Sequence, residues 1–408
     1  MALYAFDGTG NFDEIDDKKD TNVVRFKELY TDDAFYLPGV GTRLGALGAV
    51  LGGAFGAGGH SRIDEMMESL RSNYLAGDTT IDVIGFSRGA ALAVHFCNKL
   101  AKEGISLTDG TTVNPEIRFL GVWDVVGSFG LSFNNILDFQ EINVGWDIKS
   151  VPMNVKTCRH AIAIDERREA FNVTKLESTS STDLKEVWFK GVHSDVGGGN
   201  MNYLRSNIAL NWMIDEASEI GVSINVALRD EDKYSNTDLD APISENKDLY
   251  TDPKRNRAPS EEVHQSATPR ELAIGESHAV NVIAKNKFNW GRVKLTKNQQ
   301  YKIWTQEIDT WDDDNITCNA SGWTSEQLSF IKESAVKIFE DNRRYPEADW
   351  FELIGAYDND ESAHFFRIGI ETTLTAEQDG ELYLFANDLQ SRYGNNDGLI
   401  RTFIERVA

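Results

Sequence analysis

The sequence has few cysteines, prolines and basic residues, and each shortage excludes a class of protein. Its three cysteines (Cys97, Cys158 and Cys318) lie far apart and form no Cys-x-x-Cys pair, so neither a disulfide framework nor a thiolate zinc site is predicted. With 8 prolines and 41% hydrophobic residues among 408, long disordered and collagen-like chains are excluded. Its 41 basic and 65 acidic side chains leave a net charge of −24, which argues against nucleic acid as a partner and against electrostatic adhesion to anionic lipid.

The chain also lacks a long apolar run. The longest uncharged stretch, residues 44–59, is shorter than the roughly 20 residues that a membrane-spanning helix requires. Residues 1–6 have neither a basic start nor a cleavage site, so no secretory signal peptide is predicted. We expect a protein that is cytoplasmic at synthesis, has no transmembrane segment and contacts membranes only peripherally. The glycine-rich 44–59 stretch fits either a mobile lid or a glycine-packed helix contact.

Short apolar runs alternate with amphipathic stretches in the first half, which is typical of βαβ units around a mostly parallel sheet. The predicted strands are residues 2–6, 34–37, 81–86, 117–123 and 187–192, and the predicted helices are 62–75, 90–100 and 207–220. This pattern predicts the α/β fold class for the first half.

The composition changes near residue 230. Residues 229–270 are polar, and 251–270 contain three of the eight prolines, so we expect a surface connection there. Alternating and β-rich runs follow, interrupted by one predicted helix at 325–341. The sequence therefore predicts an α/β catalytic domain over 1–270, a linker region at 251–275 and an all-β domain over 276–408.

One motif carries a nucleophile. Residues 85–89 read Gly-Phe-Ser-Arg-Gly, which matches the motif G-x-S-x-G. They lie between a predicted strand and a predicted helix, the strand–turn–helix setting in which this motif indicates a nucleophile. The sharp turn holds the serine in a strained conformation, and the glycines keep Cβ atoms from colliding with the strand and the helix. The alternative is a serine that caps a helix after a glycine turn. The context favours Ser87 as a nucleophile.

Two further predicted strands end near residues that complete a triad. Asp124 follows the strand 117–123, and His193 follows the strand 187–192. The order Ser87, Asp124, His193 is that of α/β-hydrolases, and all three lie where open α/β sheets place their sites. Asp195 is an alternative acid, although a role in shaping the glycine-rich turn is preferred for it.

The oxyanion of the tetrahedral intermediate needs two N–H donors. Arg88, next to the serine, supplies one, and Gly8 or Thr9 after the first strand supplies the other. The Asp-Gly-Thr of residues 7–9 lacks the aspartyl nucleophile of a phosphatase, because Ala5 stands in its place. The glycines of 39–59 are not followed by Gly-Lys-Ser/Thr, which excludes a phosphate-binding loop.

Five motifs of the first 270 residues resemble the DUF2235 family, an α/β-hydrolase domain shared with a group of type VI secretion lipase effectors. They are residues 6–11, 38–42, 85–90, 121–128 and 191–199, and residues 264–266 are similar to a late family motif. The family's triad falls on Ser87, Asp124 and His193. The resemblance implies the α/β-hydrolase fold and ester hydrolysis without a catalytic cofactor, and phospholipase A activity in the effector branch. It also implies a secretion-machinery or immunity-protein partner and export by a route that needs no signal peptide.

The C-terminal half has its own resemblance. Residues 380–388 and 393–398 are similar to the end of the galactophilic calcium-dependent bacterial lectin, a galactose-binding-like β-sandwich. That family's calcium ligands map onto the side chains of Asp388, Asn395 and Asn396 and onto the carbonyl of Arg392, and oxygen ligands suit Ca²⁺. The aspartates at 312–314 either add an oxygen or form a solvated loop. The alternative for 393–398 is a tight turn, since Gly and Asn tolerate positive φ.

The sequence thus favours a serine hydrolase whose substrate is a phospholipid acyl ester. A soluble carboxylic ester is the second choice of substrate. The alternative from another class is a carbohydrate- or partner-binding protein in which the hydrolase half is only a scaffold.

Overall fold

The computed structural model describes residues 1–9, 11, 19–39, 54–127, 146–244, 254–327 and 336–408. The chain divides into two units, Met1–Ala267 and Thr268–Ala408. The glycine-rich stretch at 44–59, predicted as a lid or helix contact, lies outside the described residues up to position 53. Its last residues belong to the helix Ala54–Leu75.

A six-stranded parallel sheet forms the centre of the first unit. Its strands in chain order are β1 (Ala2–Phe6), β2 (Asp33–Leu37), β3 (Ile81–Phe86), β4 (Ile117–Trp123), β5 (Val155–Ala163) and β6 (Asp183–Phe189). The spatial order is β6-β5-β4-β3-β1-β2, and every neighbouring pair is parallel. The predicted α/β class with a parallel sheet is confirmed.

Both faces of this sheet are buried, which explains its continuous apolar strands. Tyr4 and Phe6 of β1 belong to one hydrophobic cluster, whereas Leu3 and Ala5 belong to the cluster on the other face. Among its described residues, the α-helices of the unit are Asn22–Leu29, Ala54–Leu75, Ser87–Glu103, His193–Gly197, Tyr203–Glu219, Val226–Arg229 and Asp232–Ser235.

The sequence did not predict β5, although it lies inside the sheet. Its residues Val-Lys-Thr-Cys-Arg-His-Ala-Ile-Ala mix charge into an otherwise apolar strand. The structure satisfies these groups through other elements: Arg159 pairs with Glu216 and Asp183, and His160 lies 2.8 Å from Glu186 Oε1. Because those partners lie 24 to 57 residues away, no local pattern reveals the strand.

The end of the first unit runs along the edge strand β6. The Trp188 N–H donates to the carbonyl of Glu262 over 3.0 Å, and the His264 N–H donates to the carbonyl of Trp188 over 2.9 Å. The His264 ring also stacks on Phe189 at 4.6 Å. Much of 254–267 is exposed, as expected of a surface connection, but these contacts attach it firmly to the first unit.

The second unit contains two antiparallel sheets around one hydrophobic core. Its strands are β7 (Ser277–Ile283), β8 (Asn289–Leu295), β9 (Gln300–Thr305), β10 (Trp311–Asp313), β11 (Ile316–Cys318), β12 (Leu353–Ala356), β13 (Phe365–Arg367), β14 (Glu371–Thr375), β15 (Gly380–Ala386) and β16 (Asn396–Arg406). One sheet has the order β11-β10-β16-β9-β14 with β7 also paired to β16, and the other is β8-β15-β12-β13. The predicted change to a β-rich unit is confirmed, but the long strand β16 was missed because charged residues interrupt its apolar positions.

The helix predicted at 325–341 falls partly outside the described residues, which lack 328–335. Before that gap lies a 3₁₀ turn at Ser325–Gln327. After it, residues 336–337 are α-helical, in agreement with the prediction, and a 3₁₀ turn follows at Glu340–Asn342. Across the described parts of both units, no helix combines the length and apolarity needed to cross a bilayer.

Candidate active site

Ser87 lies at a sharp junction between β3 and the helix Ser87–Glu103. Its φ is +59°, a left-handed conformation that costs a non-glycine residue about 1–3 kcal/mol and is enriched at functional sites. The first turn of the helix passes very close to β1, since a Cβ atom at Gly89 would lie 2.4 Å from the main-chain oxygens of Phe6 and Asp7. Only glycine fits there, so the motif accounts for this turn, and the helix begins at Ser87 rather than at the predicted residue 90.

Asp124 and His193 meet at the carboxyl ends of the strands. Asp124 directly follows β4 with φ +42°, and its Oδ2 lies 2.6 Å from His193 Nδ1. Both side chains are buried. Strand β6 ends at Phe189 rather than running to 192, so a short loop places His193 at the start of the helix His193–Gly197.

The surroundings of Ser87 and His193 join these residues into one site. The N–H of Val126, just beyond Asp124, donates to the carbonyl of Ser87 over 3.2 Å. The His193 ring contacts two aromatic rings: Phe86 stacks on it at 4.6 Å, and Phe171 meets it edge-on at 4.8 Å. The three residues singled out in the sequence therefore lie at one edge of the sheet.

Asp195, the alternative acid, has other contacts. Its carboxylate accepts hydrogen bonds from the N–H groups of Val192 and Ser244 and from the side chains of Asn200, Asn202 and Ser244. These bonds close the turn that follows His193. The geometry favours the role of shaping the turn for Asp195, and the carboxylate that contacts the His193 ring is that of Asp124.

The charge on Asp124 is strongly stabilised. Burial raises the pKa of this carboxyl, but the charge of Arg255 and the hydrogen bonds from His193 and Arg255 outweigh burial, so the net pKa is lowered. The Arg255 guanidinium forms two bonds to the carboxylate, Nη1 to Oδ1 at 2.6 Å and Nη2 to Oδ2 at 3.0 Å. Asp124 is therefore an anion at all physiological pH values.

A second buried carboxylate stands behind His193. The main-chain N–H of His193 donates to Glu166 Oε2 over 3.2 Å, and the Arg168 side chain donates to both carboxylate oxygens of Glu166 at 2.9 Å. Burial lowers the pKa of His193, the hydrogen bond and charge of Asp124 raise it, and the net pKa is lowered. The imidazole is therefore neutral at pH 7, as a general base requires.

The loop after β1 lies against the serine. A Cβ atom at Gly8 would be 3.2 Å from the Cβ of Ser87. The Gly8 N–H, however, donates to Asp7 Oδ1 over 2.7 Å, so it is already engaged. Of the two loop donors predicted from the sequence, the Gly8 N–H is therefore the one that already has an acceptor.

Asp7 holds this loop in place. Its carboxylate is buried and also accepts hydrogen bonds from the hydroxyls of Thr21, at 2.8 Å, and Tyr36, at 2.7 Å. Burial, only partly offset by these bonds, raises the pKa of Asp7 to about 6.

Sequence reasoning missed Arg255, Glu166 and Phe171. Glu166 follows the unpredicted strand β5, and recognising that strand would have placed an acid at its carboxyl end. Arg255 lies in a polar segment where basic residues are common, and Phe171 ends a three-residue 3₁₀ helix, Glu169–Phe171, so neither had a local signal.

The calcium ligands predicted in the second unit also lie together. Asp388 and Asn396 are buried, and Asp388 Oδ2 and Asn396 Oδ1 have no hydrogen-bond partner among the described residues. Asn395 donates to Asp313 Oδ1 over 3.1 Å, which brings one of the aspartates at 312–314 into the cluster. Burial and the charge of Asp313 raise the pKa of Asp388 to about 7. No group of three or more His, Cys, Asp and Glu side chains in the described ranges is arranged to hold a metal, so amide and backbone oxygens would have to contribute here.

The comparisons with known proteins concern both units. The family model of the catalytic domain of Tle1-like phospholipase effectors of the type VI secretion system matches residues 3–114 and 102–216, together more than half of the chain. No curated protein matches.

Three solved structures are similar at low identity. An uncharacterized protein from Pseudomonas aeruginosa is 22% identical with a TM-score of 0.35, covering 55% of this chain and 46% of that one, so this chain spans about half of its length. The Tle1 effector bound to the VgrG spike of the type VI secretion system is 18% identical with a TM-score of 0.39, covering 55% and 73%. The EclA N-terminal domain, a PllA-like lectin, is 16% identical with a TM-score of 0.23, covering 31% and 94%.

Proposed function

This chain belongs to the family of Tle1-like type VI secretion phospholipase effectors through its catalytic domain, and we propose that it is a serine hydrolase of α/β-hydrolase fold that cleaves phospholipid acyl esters. The observation that carries the proposal is the 2.6 Å contact between Asp124 and His193, formed at the sheet edge beside Ser87 in its strained conformation. A nucleophile, a neutral base and an ionised acid are the three groups that acyl transfer requires.

The proposed mechanism assigns one task to each residue. Ser87 attacks the ester carbonyl and passes its proton to His193 Nε2, while Asp124 holds the imidazole through Nδ1 and stabilises its protonated form. The N–H groups of Arg88 and Thr9 donate to the tetrahedral oxyanion. His193 then protonates the leaving alcohol, and water releases the acyl group by the same route.

We expect the enzyme to turn over micellar phospholipid at least about tenfold faster than acetate esters, because each methylene buried in an acyl site contributes about 1–3 kcal/mol. A panel of phospholipids that varies acyl chain and headgroup measures this, with 4-nitrophenyl acetate as the soluble comparison. Equal or faster turnover of acetate esters would identify a soluble-ester esterase. Absence of both hydrolysis and labelling by a fluorophosphonate would indicate the binding protein on a hydrolase scaffold.

Family membership also supports a proposal about delivery. We propose that the protein is exported by the type VI machinery without a signal peptide, acts on a target membrane from its surface, and is neutralised in the producing cell by an immunity protein. A deletion of the machinery that leaves the protein in the supernatant would contradict this route.

We further propose a structural Ca²⁺ ion in the second unit, bound by the side chains of Asp388, Asn395 and Asn396 and by the carbonyl of Arg392. The unpartnered buried oxygens of Asp388 and Asn396 support the site, because a buried acceptor without a donor costs about 1–3 kcal/mol. Asp313 would add a second negative charge. Few charged ligands give a modest affinity, with a Kd of about 10⁻⁵–10⁻³ M.

Calcium is therefore expected to raise the melting temperature of the second unit within the full chain. If Kd is about 10⁻⁴ M, about 10 mM Ca²⁺ stabilises the folded state by about 2.7 kcal/mol, or roughly 5–10 °C. The pKa of Asp388 is raised, so without calcium its ionisation lowers stability as the pH rises from about 4 through about 7. The gain from calcium should thus be larger at pH 8 than at pH 6, where protons compete. Calorimetry with calcium or chelator measures both effects.

The matched control is Asp397→Asn, which removes the charge of the neighbouring, exposed residue. Asp388→Asn should lose the calcium response, and Asp397→Asn should keep it. A melting curve of the wild-type protein that is indifferent to calcium and chelator at both pH values would leave residues 393–398 as a tight turn.

A further inference from the structure

The Arg255 side chain is almost fully buried in the first unit, with 5% of its surface exposed. Besides its two bonds to Asp124, the guanidinium donates to the carbonyls of Ala163, at 2.7 Å, and Phe171, at 2.5 Å. The two carbonyls belong to residues of the candidate active site: the Ala163 N–H donates to Asp124, and the Phe171 ring contacts His193. The sequence had placed Arg255 in a surface connection, and for this residue that prediction is wrong.

Each oxygen of the Asp124 carboxylate accepts two hydrogen bonds. Oδ1 accepts from the Ala163 N–H, at 3.0 Å, and from Arg255; Oδ2 accepts from Arg255 and faces His193 Nδ1. A bidentate guanidinium fixes the plane of a carboxylate, which a single-point donor such as lysine does not do. The orientation of Oδ2 toward His193 is therefore set by Arg255 and Ala163.

Two ion pairs lie beside His193. Asp124 is paired with Arg255. Glu166 is paired with Arg168 and also accepts a hydrogen bond from the main-chain N–H of His193. The Arg168 guanidinium also packs on the Phe171 ring at 3.7 Å. Each of these two anions is thus paired with an arginine, which weakens its attraction for a proton added to the His193 ring.

We propose that Arg255 is a positioning residue of this site: its guanidinium holds Asp124 in the orientation that receives His193, and its charge keeps His193 an unprotonated base at a lower pH than Asp124 alone would allow. This rests on the proposed function for its catalytic meaning. The charge of Arg255 acts to lower the pKa of His193, in the direction the proposal requires.

Arg255 reaches the site from a part of the chain outside the matched family region, which ends at residue 216. The segment that follows it is fixed on β6 by the main-chain bonds of Trp188 and by a 3.1 Å bond from Trp188 Nε1 to Glu261. The catalytic unit therefore needs residues up to about 267 to assemble its acid correctly.

The test compares three variants of the full chain. Arg255→Met removes both the positive charge and the two-point contact with the carboxylate. Arg255→Lys keeps the charge but loses the two-point contact, and Arg257→Met is the control. Arg257 lies two residues further along the same segment and bonds to the carbonyls of Ala258 and Glu261 in that segment. Two readouts are measured across pH 4–9: the NMR titration of ¹⁵N-labelled His193, assigned with His193→Ala, and the rate of labelling by a fluorophosphonate.

In Arg255→Met the pH at which His193 is half protonated (its titration midpoint) should rise by about one unit or more, because a nearby positive charge has been removed. The acid limb of the labelling profile should move with it, so that labelling is lost more severely at pH 6 than at pH 8.5. Arg255→Lys should keep the midpoint close to that of wild type while labelling falls about tenfold or more at all pH values, since misorientation costs about 10²-fold per ångström. Arg257→Met should change neither readout.

An unchanged His193 midpoint in Arg255→Met, with labelling reduced equally at every pH, would reduce Arg255 to a structural role and overturn the proposal. If Arg255→Met does not fold, Arg255→Lys decides: wild-type labelling together with a wild-type midpoint overturns it. Failure of the wild-type protein to react with the fluorophosphonate would instead defeat the proposed function, and the His193 titration would still test Arg255.

Discussion

Replacing Ser87 with alanine is expected to abolish ester hydrolysis, with kcat falling by about 10⁴–10⁶. Only the nucleophilic oxygen is lost, since alanine keeps the Cβ atom and meets the same backbone strain as serine at φ +59°. The melting temperature should therefore stay within a degree or two of wild type. Turnover of phospholipid and of a soluble ester, together with fluorophosphonate labelling, measures the effect.

Ser69→Ala is the control for Ser87→Ala. Ser69 lies on the helix Ala54–Leu75, where its hydroxyl bonds to the carbonyl of Glu65. This variant should keep full activity and full labelling. If Ser87→Ala retained more than about a tenth of wild-type turnover, Ser87 would not be the nucleophile.

Asp124→Asn is expected to lower kcat/KM by about 10⁴, because an amide favours the wrong tautomer of the imidazole. It also removes the anionic partner of the buried Arg255, which costs about 3–5 kcal/mol of stability. A large loss of activity should therefore come with a lower melting temperature, unlike in Ser87→Ala. Steady-state kinetics and calorimetry on the same preparation separate the two effects.

The matched comparison is Asp195→Asn, which changes the other carboxylate near His193. Asp195 closes the turn through Ser244, Asn200 and Asn202, so its loss should destabilise the turn and reduce activity far less than Asp124→Asn. The reverse order of damage would mean that Asp195, and not Asp124, serves as the acid.

Much of the catalytic geometry could be predicted because it is local. The Gly-Phe-Ser-Arg-Gly motif predicted a strained turn, and Ser87 has the positive φ and the close glycine contact that this turn demands. Apolar strands that end at Asp124 and near His193 placed both residues at one sheet edge, since parallel strands share their carboxyl end. Strand β5 was less visible, because its buried Arg159 and His160 are compensated by distant carboxylates.

The sequence by itself determined the candidate nucleophile, the chain order of the proposed triad and the change from a parallel sheet to a β-rich unit, because each depends on residues adjacent in the chain. Tertiary structure decided which acid faces His193, which acceptor the Gly8 N–H takes, and which cation stabilises Asp124. Arg255 is 131 residues away from that aspartate. Such pairings depend on which buried charges the fold brings together, and burial makes them strong without leaving any local pattern.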